Sequence, residues 1–128
     1  LNIFKRHEHK TIIFCSDKRF DCSETSVCKF ITVPEINGRL SIKSVLIELG
    51  KEGVTSLLVE GGKKVLESFL KLDLIDQMYI YTSSNKLEKD GMENPLVISN
   101  EWVVKEESIL GNDQLIMAEK GVECLQES

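Results

Sequence analysis

The stretch that decides the fold is residues 57–66, LLVEGGKKVL. An apolar run ends there at Glu60, Gly61 and Gly62, and an apolar helical pattern begins directly after them. A short, nearly continuous apolar run is typical of a strand with both faces covered, and the spacing that follows is typical of an amphipathic helix. The stretch therefore predicts a strand-to-helix junction, with an acid, two glycines and two lysines at the turn.

Further strands and helices are predicted on both sides of that junction. Ser41 has the character of a helix N-cap, since its hydroxyl can accept from free N–H groups, and an apolar face at i, i+3, i+4 and i+7 follows it. Gly50 or Gly53 is expected to end this helix. The predicted strands cover residues 11–15, 30–33, 56–59, 78–81, 102–109 and 114–117, and the second helix covers residues 63–72.

The order strand, helix, strand, helix, strand is typical of an α/β protein whose strands are joined by right-handed crossovers. We therefore expect a mostly parallel sheet with flanking helices. The glycine and polar residues at 111–113 predict a turn, so the last two strands are expected to form a C-terminal antiparallel hairpin.

Length and composition indicate one ordinary globular domain over residues 1–128, with 41% hydrophobic and 29% charged residues. The net charge of −5 and the absence of a long basic block argue against non-specific nucleic-acid binding. No apolar run reaches the length of a membrane span, and the polar start LNIFKRHEHK is unlike a signal peptide. Because the chain begins with Leu1, it is expected to be a piece of a longer protein.

The cysteines and histidines do not predict a metal site. The spacing C-x-x-C is absent, so reduced thiols in a cytosolic protein are expected. His7 and His9 would share one side of a strand, but no further ligand lies near them in the sequence, so they are assigned to a solvated terminus. The four cysteines are Cys15, Cys22, Cys28 and Cys124.

The strand-to-helix junction is a candidate binding site for an anion or nucleotide. Ligands of parallel sheets bind outside the carboxyl ends of the strands, and the first N–H groups of a helix attract phosphate. Gly61 and Gly62 would allow a close backbone approach or a positive φ. The positive charges of Lys63 and Lys64 oppose the helix dipole, which is reasonable if an anion binds there. The alternative is that both side chains are simply solvated, at a cost of about 0.3–1 kcal/mol each.

Two further polar residues belong to the candidate site. Glu60 could accept hydrogen bonds from N–H or O–H groups of a substrate, and the alternative is an exposed carboxylate near a helix start. Ser68 could contact a ligand from farther along the helix, and the alternative is a solvated helical serine. Neither the G-x-G-x-x-G nor the G-x-x-x-x-G-K-[ST] fingerprint is present, so the spacing alone supports an anion or nucleotide pocket only.

Short motifs over nearly the whole chain follow the order and spacing of one known family. They are Pro34-Glu35, Gly38 with Leu40, Leu46, Leu49-Gly50, Ser56, Val59-Glu60-Gly61-Gly62, Phe69-Leu70, Leu74-Ile75-Asp76 and Tyr81. The chain resembles the C-terminal reductase domain of the bifunctional riboflavin-biosynthesis deaminase/reductase. The segment from Trp102 to Met117, with Gly111 in its turn, also resembles the closing strands of that family.

The resemblance implies a fold similar to dihydrofolate reductase and an NADPH-dependent oxidoreductase. The implied reaction reduces 5-amino-6-(5-phosphoribosylamino)uracil, a phosphorylated pyrimidine, to its ribitylamino product. It further implies that Glu60 binds the pyrimidine and that the segment holding Gly61, Gly62, Lys63, Lys64 and Ser68 borders the NADPH phosphates. No catalytic side chain is implied, because the chemistry belongs to the cofactor.

The chain also departs from the family pattern. It lacks the deaminase domain with its zinc motif, it begins after the early strands of the reductase domain, and residues 82–91 replace a loop that normally carries proline and glycine. We therefore expect a partial domain that covers its apolar sheet surface as a homodimer. The alternatives are a truncated, inactive nucleotide-binding remnant and a different small α/β domain with a coincidental V-E-G-G motif.

Overall fold

A computed structural model of the chain describes residues 11–16, 28–85, 91 and 93–121. The chain divides into two compact units, Leu1–Leu58 and Val59–Ser128. Strands and two helices make this a mixed α/β protein, as predicted. The expectations for His7, His9, Cys22 and Cys124 lie outside the described residues. Within the described ranges, no helix is long and apolar enough to cross a membrane.

The first unit contains a parallel strand pair. β1 (Thr11–Cys15) pairs with β2 (Cys28–Thr32), and Val33 extends the pairing by donating its N–H to the carbonyl of Cys15 at 2.9 Å. Among the described residues of this unit, Cys28 and Val33 are the most deeply buried apolar ones, at 2% and 1% exposure. Their β-branched and aromatic neighbours in both strands explain why the sequence predicts these strands correctly.

A tight hairpin follows the parallel pair. β3 (Glu35–Ile36) and β4 (Arg39–Leu40) are antiparallel, and the two residues between them have positive φ, 52° at Asn37 and 74° at Gly38. Two consecutive positive φ angles define the type I′ turn, for which Asn-Gly is the preferred sequence. The sequence Asn37-Gly38 thus accounts for the tight turn between β3 and β4.

Helix α1 (Ile42–Lys51) begins directly after the predicted N-cap, runs through Gly50 and ends two residues before Gly53. The Ser41 hydroxyl accepts from the N–H of Ser44 at 3.3 Å, which satisfies one free donor of the first turn. After the helix, Gly53 has φ 82° and donates its N–H to the carbonyl of Gly50 at 3.0 Å. The left-handed conformation there favours glycine, and it turns the chain out of the helix.

The second unit contains helix α2 (Lys63–Lys71) and three antiparallel strands, β5 (Gln77–Ser83), β6 (Trp102–Leu110) and β7 (Asp113–Lys120). The strand order is β5-β7-β6, so β7 lies in the middle. A two-residue turn that begins at Gly111, with φ 67°, joins β6 to β7. The predicted C-terminal hairpin is therefore confirmed.

The buried apolar residues of the second unit are few. Met78 of β5 lies opposite Ala118 of β7, and these residues are 3% and 0% exposed. Phe69 is the buried residue of α2. Val65 of the same helix is 44% exposed. A small core of this kind provides limited stabilisation from apolar burial.

Fewer strands pair in parallel than the sequence predicts. Among the described residues only β1 and β2 pair in parallel, and the other three strand pairs are antiparallel. Residues 56–59 do not form a strand, and Leu58 is 75% exposed. Strand formation needs a partner strand, and this segment pairs with none of the described strands. Apolar character alone is therefore not enough to make residues 56–59 a strand.

Candidate functional site

The predicted site lies at the start of α2. Gly62 is the N-cap, with φ −65° and ψ 166°, and it has no side chain to cap the helix. The first backbone bond runs from the N–H of Val65 to the carbonyl of Gly62 at 2.9 Å. Consequently the N–H groups of Lys63 and Lys64 have no hydrogen-bond partner among the described residues. Such free N–H groups carry the positive end of the helix dipole.

The two glycines differ in how strictly the surrounding chain requires them. Neither has a positive φ, so the sequence-based alternative of a left-handed backbone is excluded. A Cβ atom added to Gly61 would lie 2.7 Å from the Cβ of Val65, whereas one added to Gly62 would meet no atom of the described residues within 4 Å. Packing of the chain itself therefore requires Gly61. The space beside Gly62 is open to a ligand.

The two lysines also differ. The Lys63 ammonium lies 3.9 Å from a carboxylate oxygen of Glu67 and 3.6 Å from one of Glu93. These distances are long and the Glu93 side chain is 88% exposed, so the ion pairs are weak and a phosphate can compete with them. The side chain of Lys64 is exposed and has no ion pair within the described residues. The cations are thus available to an anion at the helix start.

Glu60 and Ser68 flank this helix start in different ways. Glu60 is exposed, and its carboxylate has no ion pair or hydrogen bond among the residues that the structure describes. Ser68 lies in the next turn, where its hydroxyl donates to the carbonyl of Lys64 at 2.7 Å. The structure therefore brings residues 60–64 together and directs the Ser68 hydroxyl to its own helix. The roles of these residues in binding stay predictions.

Sequence reasoning missed two contributors to the site. The Val65 side chain leaves no room for a Cβ atom at Gly61. The spacing of four residues between them, which brings side chains together on a helix, could have indicated this contact. Glu93 pairs with Lys63 from a distant part of the chain, and no local pattern indicates that contact.

The arrangement is suited to binding a phosphate. Among the residues that the structure describes, two N–H groups at the helix start and the Lys64 ammonium have no partner, and Gly62 leaves room for close approach. These features fit the phosphates of a dinucleotide cofactor. No group of three or more His, Cys, Asp or Glu side chains in the described ranges could hold a metal ion.

The chain is similar to a known protein family and to a known protein. Residues 1–87, more than half of the chain, match the family described as the RibD C-terminal domain. The protein named "Riboflavin biosynthesis protein RibD" from Escherichia coli (strain K12) is 28% identical over 60 residues. That similarity covers 47% of this chain and 16% of the relative, so the chain spans a small part of the length of the protein it matches.

Proposed function

Because the chain belongs to the RibD C-terminal domain family, we propose that it acts as an NADPH-dependent reductase in riboflavin biosynthesis. The proposed substrate is 5-amino-6-(5-phosphoribosylamino)uracil, and the proposed product is its ribitylamino form. The observation that carries the proposal is the start of α2, where the N–H groups of Lys63 and Lys64, beside Gly62, have no partner in the described part of the chain. This end of the helix suits a phosphate-bearing cofactor.

Three features of the chain would hold the cofactor. The free N–H groups of Lys63 and Lys64 donate to phosphate oxygens, and the exposed Lys64 ammonium adds an attractive charge. Gly62 allows the phosphate to approach the backbone. When bound, NADPH supplies the hydride, so the protein needs to position the reactants rather than provide a nucleophile.

Glu60 is the proposed contact for the pyrimidine. Its carboxylate is an acceptor only, and pyrimidine N–H groups are matching donors. Since the carboxylate has no partner among the described residues, binding breaks no existing ion pair. Because Glu60 and Gly62 are only two residues apart in the chain, substrate and cofactor would meet at the same helix start.

Cofactor binding without turnover is the second candidate. Hydride transfer requires fixed geometry and exclusion of water. Residues 56–59, which lead into the site, form no strand, and Glu60 is exposed. These observations favour a site that binds the nucleotide and does not enclose the substrate. In that case NADPH binds and is not consumed.

A pair of substitutions at Gly62 tests the phosphate site. Asp and Asn are equally good N-cap residues and nearly isosteric, and both fit the open space beside Gly62. Only Gly62→Asp adds a negative charge beside the phosphate. We expect it to bind NADPH about tenfold more weakly than Gly62→Asn, which corresponds to about 1.4 kcal/mol.

The affinities are measured by titrating the fluorescence of NADPH on both variants and on the unsubstituted chain. Equal affinities for the Asp and Asn variants would exclude a phosphate at this helix start. Loss of NADPH absorbance after addition of the substrate then separates the two candidate functions. Binding with turnover supports the reductase, and binding without turnover supports the second candidate.

A further inference from the structure

The turn between β3 and β4 contains a sequence with a chemistry of its own. Asn37 is the one asparagine of the chain that is followed directly by glycine. The backbone nitrogen that follows an asparagine can attack the side-chain carbonyl carbon and close a cyclic imide. Glycine favours this attack, because it has no Cβ atom beside the nitrogen. Spontaneous loss of a side-chain amide is therefore most strongly favoured at Asn37.

The structure leaves the attacking nitrogen available. Asn37 and Gly38 occupy the two central positions of the type I′ turn, and the hydrogen bond that closes such a turn joins the residues on either side of them. The N–H of Gly38 has no hydrogen-bond partner among the described residues. Both residues are exposed, as are their neighbours Ile36 and Arg39. Water and hydroxide can therefore reach the N–H group that must lose its proton before the nitrogen attacks.

The hairpin offers little resistance to the change in backbone angles that ring closure requires. β3 and β4 have two residues each, and both residues of β3 are exposed. A two-stranded hairpin is at best marginally stable by itself, so this one opens at low free energy. Glycine also accepts a wide range of φ, so rotation about the linkage between Asn37 and Gly38 meets little steric resistance.

We propose that Asn37 is a modification site, at which the folded chain deamidates through a cyclic imide with Gly38. The Gly38 nitrogen loses its proton and bonds to Cγ of Asn37, the bond from Cγ to Nδ2 breaks, and the amide nitrogen leaves with that proton as ammonia. Water then opens the imide at one of its two carbonyl carbons. Opening at Cγ gives aspartate at position 37, and opening at the main-chain carbonyl gives isoaspartate. Water is the co-reactant, and no group is oxidised or reduced.

The two products differ in their effect on the hairpin. Aspartate tolerates the left-handed backbone of residue 37, where φ is 52°, so it preserves the turn and adds one negative charge. Isoaspartate places an extra CH2 group in the main chain, because the chain then runs through the side-chain carbons. The longer turn no longer matches the pairing of Glu35 with Leu40 and of Ile36 with Arg39. Isoaspartate should therefore open the hairpin.

Opening of the hairpin affects the start of α1, which follows it directly. The N–H of Ser41 donates to the carbonyl of Pro34 at 2.8 Å, and this bond closes the base of the hairpin. Ser41 is also the N-cap, whose hydroxyl accepts from the N–H of Ser44. Loss of the hairpin thus removes a contact that fixes the N-cap. The modification would make the stability of the first unit decrease as the protein ages.

Peptide mass spectrometry during storage of the folded chain tests the modification. Trypsin cleaves after Lys29 and Arg39, so residues 30–39 form one peptide that contains the site. We expect its amide NH2 to be replaced by OH, with heavy oxygen taken up from labelled water and isoaspartate as the larger of two separable products. The rate should rise with hydroxide concentration, because the Gly38 nitrogen must lose its proton.

Asn112 is the internal control. It also lies in a two-residue turn, but the residue after it, Asp113, has a side chain and pairs with Leu110 in the sheet. Attack by the nitrogen of Asp113 is therefore hindered. We expect Asn112 to react at least about tenfold more slowly than Asn37, which corresponds to about 1.4 kcal/mol in activation free energy.

Two substitutions separate the chemistry from the conformation of the turn. Gly38→Asn keeps a residue type that tolerates positive φ, and its Cβ atom would meet no described atom within 4 Å. Because that Cβ hinders the attacking nitrogen, the reaction at Asn37 should slow about tenfold with an unchanged circular dichroism spectrum. Asn37→Asp represents the aspartate product and should melt at the same temperature as the unmodified chain. Stored protein enriched in isoaspartate should melt at a lower temperature than both.

Three results would overturn the proposal. One is an unmodified Asn37 in the folded chain over the period in which the urea-unfolded chain reacts, which would mean that the fold holds the Gly38 nitrogen away from Cγ. The others are equal rates at Asn37 and Asn112, or equal melting temperatures for the isoaspartate-containing and unmodified chains. The proposal does not depend on NADPH binding, since all of these measurements are made without ligand.

Discussion

At the scale of single residues, Gly61 and Gly62 are neighbours with opposite structural requirements. An added methyl group at Gly61 would lie 2.7 Å from the Cβ and 2.8 Å from the Cγ1 of Val65, far inside normal contact. At Gly62 the same group would meet no described atom within 4 Å. The fold therefore requires glycine at position 61, whereas position 62 can be occupied according to the needs of ligand binding.

The first prediction concerns the stability effect of these glycines. Gly61→Ala should reduce the free energy of unfolding by about 1–3 kcal/mol, because the helix start must shift to remove the overlap with Val65. Gly62→Asn should leave the free energy equal or slightly higher, since asparagine is a good N-cap. Urea denaturation measures both. Equal stability of Gly61→Ala and the unsubstituted chain would show that Val65 does not constrain Gly61.

Glu60 gives the second prediction. Glu60→Gln keeps the size of the side chain and removes its charge, and hydrogen bonds to charged groups contribute about 1.5–3 kcal/mol. In an assay with active enzyme, kcat/KM for the pyrimidine substrate should fall about tenfold to a hundredfold, while NADPH affinity stays constant. Glu67→Gln is the control, because Glu67 contacts Lys63 and has no proposed substrate role. An equal decrease in both variants would contradict a specific role for Glu60.

At the scale of elements, the end of α2 depends on a residue that is not glycine. Asp73 has φ 56°, and its N–H donates to the carbonyl of Leu70 at 3.0 Å. Its carboxylate accepts a hydrogen bond from the Lys120 ammonium at the end of β7. This bond is the main reason that the pKa of Lys120 is raised. The interaction that raises this pKa stabilises the fold fully at pH values below the ordinary pKa of lysine. The stabilisation is lost as the pH rises through the raised pKa.

The third prediction separates backbone conformation from the ion pair at Asp73. Asparagine tolerates a left-handed backbone, whereas alanine in that conformation costs about 1–2 kcal/mol. At neutral pH, Asp73→Ala should therefore be less stable than Asp73→Asn by about that amount. Asp73→Asn should differ little from the unsubstituted chain, because surface ion pairs contribute little. Thermal denaturation of the three proteins tests this, and equal melting temperatures for Ala and Asn would contradict it.

Elements with local signals are the ones that the sequence predicts correctly. The N-cap Ser41, the Asn37-Gly38 turn and the hairpin at Gly111 each depend on residues next to one another in the chain. Residues 56–59 have the composition of a strand, but strand formation depends on a partner that local sequence cannot specify. The same distinction applies to the site: the helix start was predictable, and the contact between Lys63 and Glu93 was not.

At the scale of the whole molecule, the candidate site belongs to one compact unit. Glu60 and the start of α2 lie within Val59–Ser128, whereas β1, β2 and α1 lie within Leu1–Leu58. The buried apolar core of the described residues is small in both units. Units with few buried apolar contacts open locally at low free energy, and a ligand that binds only the folded form reduces this opening.

The last prediction is that NADPH protects the two units unequally. At a concentration 100 times its dissociation constant, a ligand stabilises the folded form by about 2.7 kcal/mol, which slows exchange through ligand-blocked openings about a hundredfold. Hydrogen exchange measured by mass spectrometry should therefore show slower exchange at the first turn of α2 than in α1 when NADPH is added. Gly62→Asp should abolish this difference and Gly62→Asn should retain it. Protection concentrated in Leu1–Leu58 would instead place the cofactor away from α2 and would require a different assignment of the site.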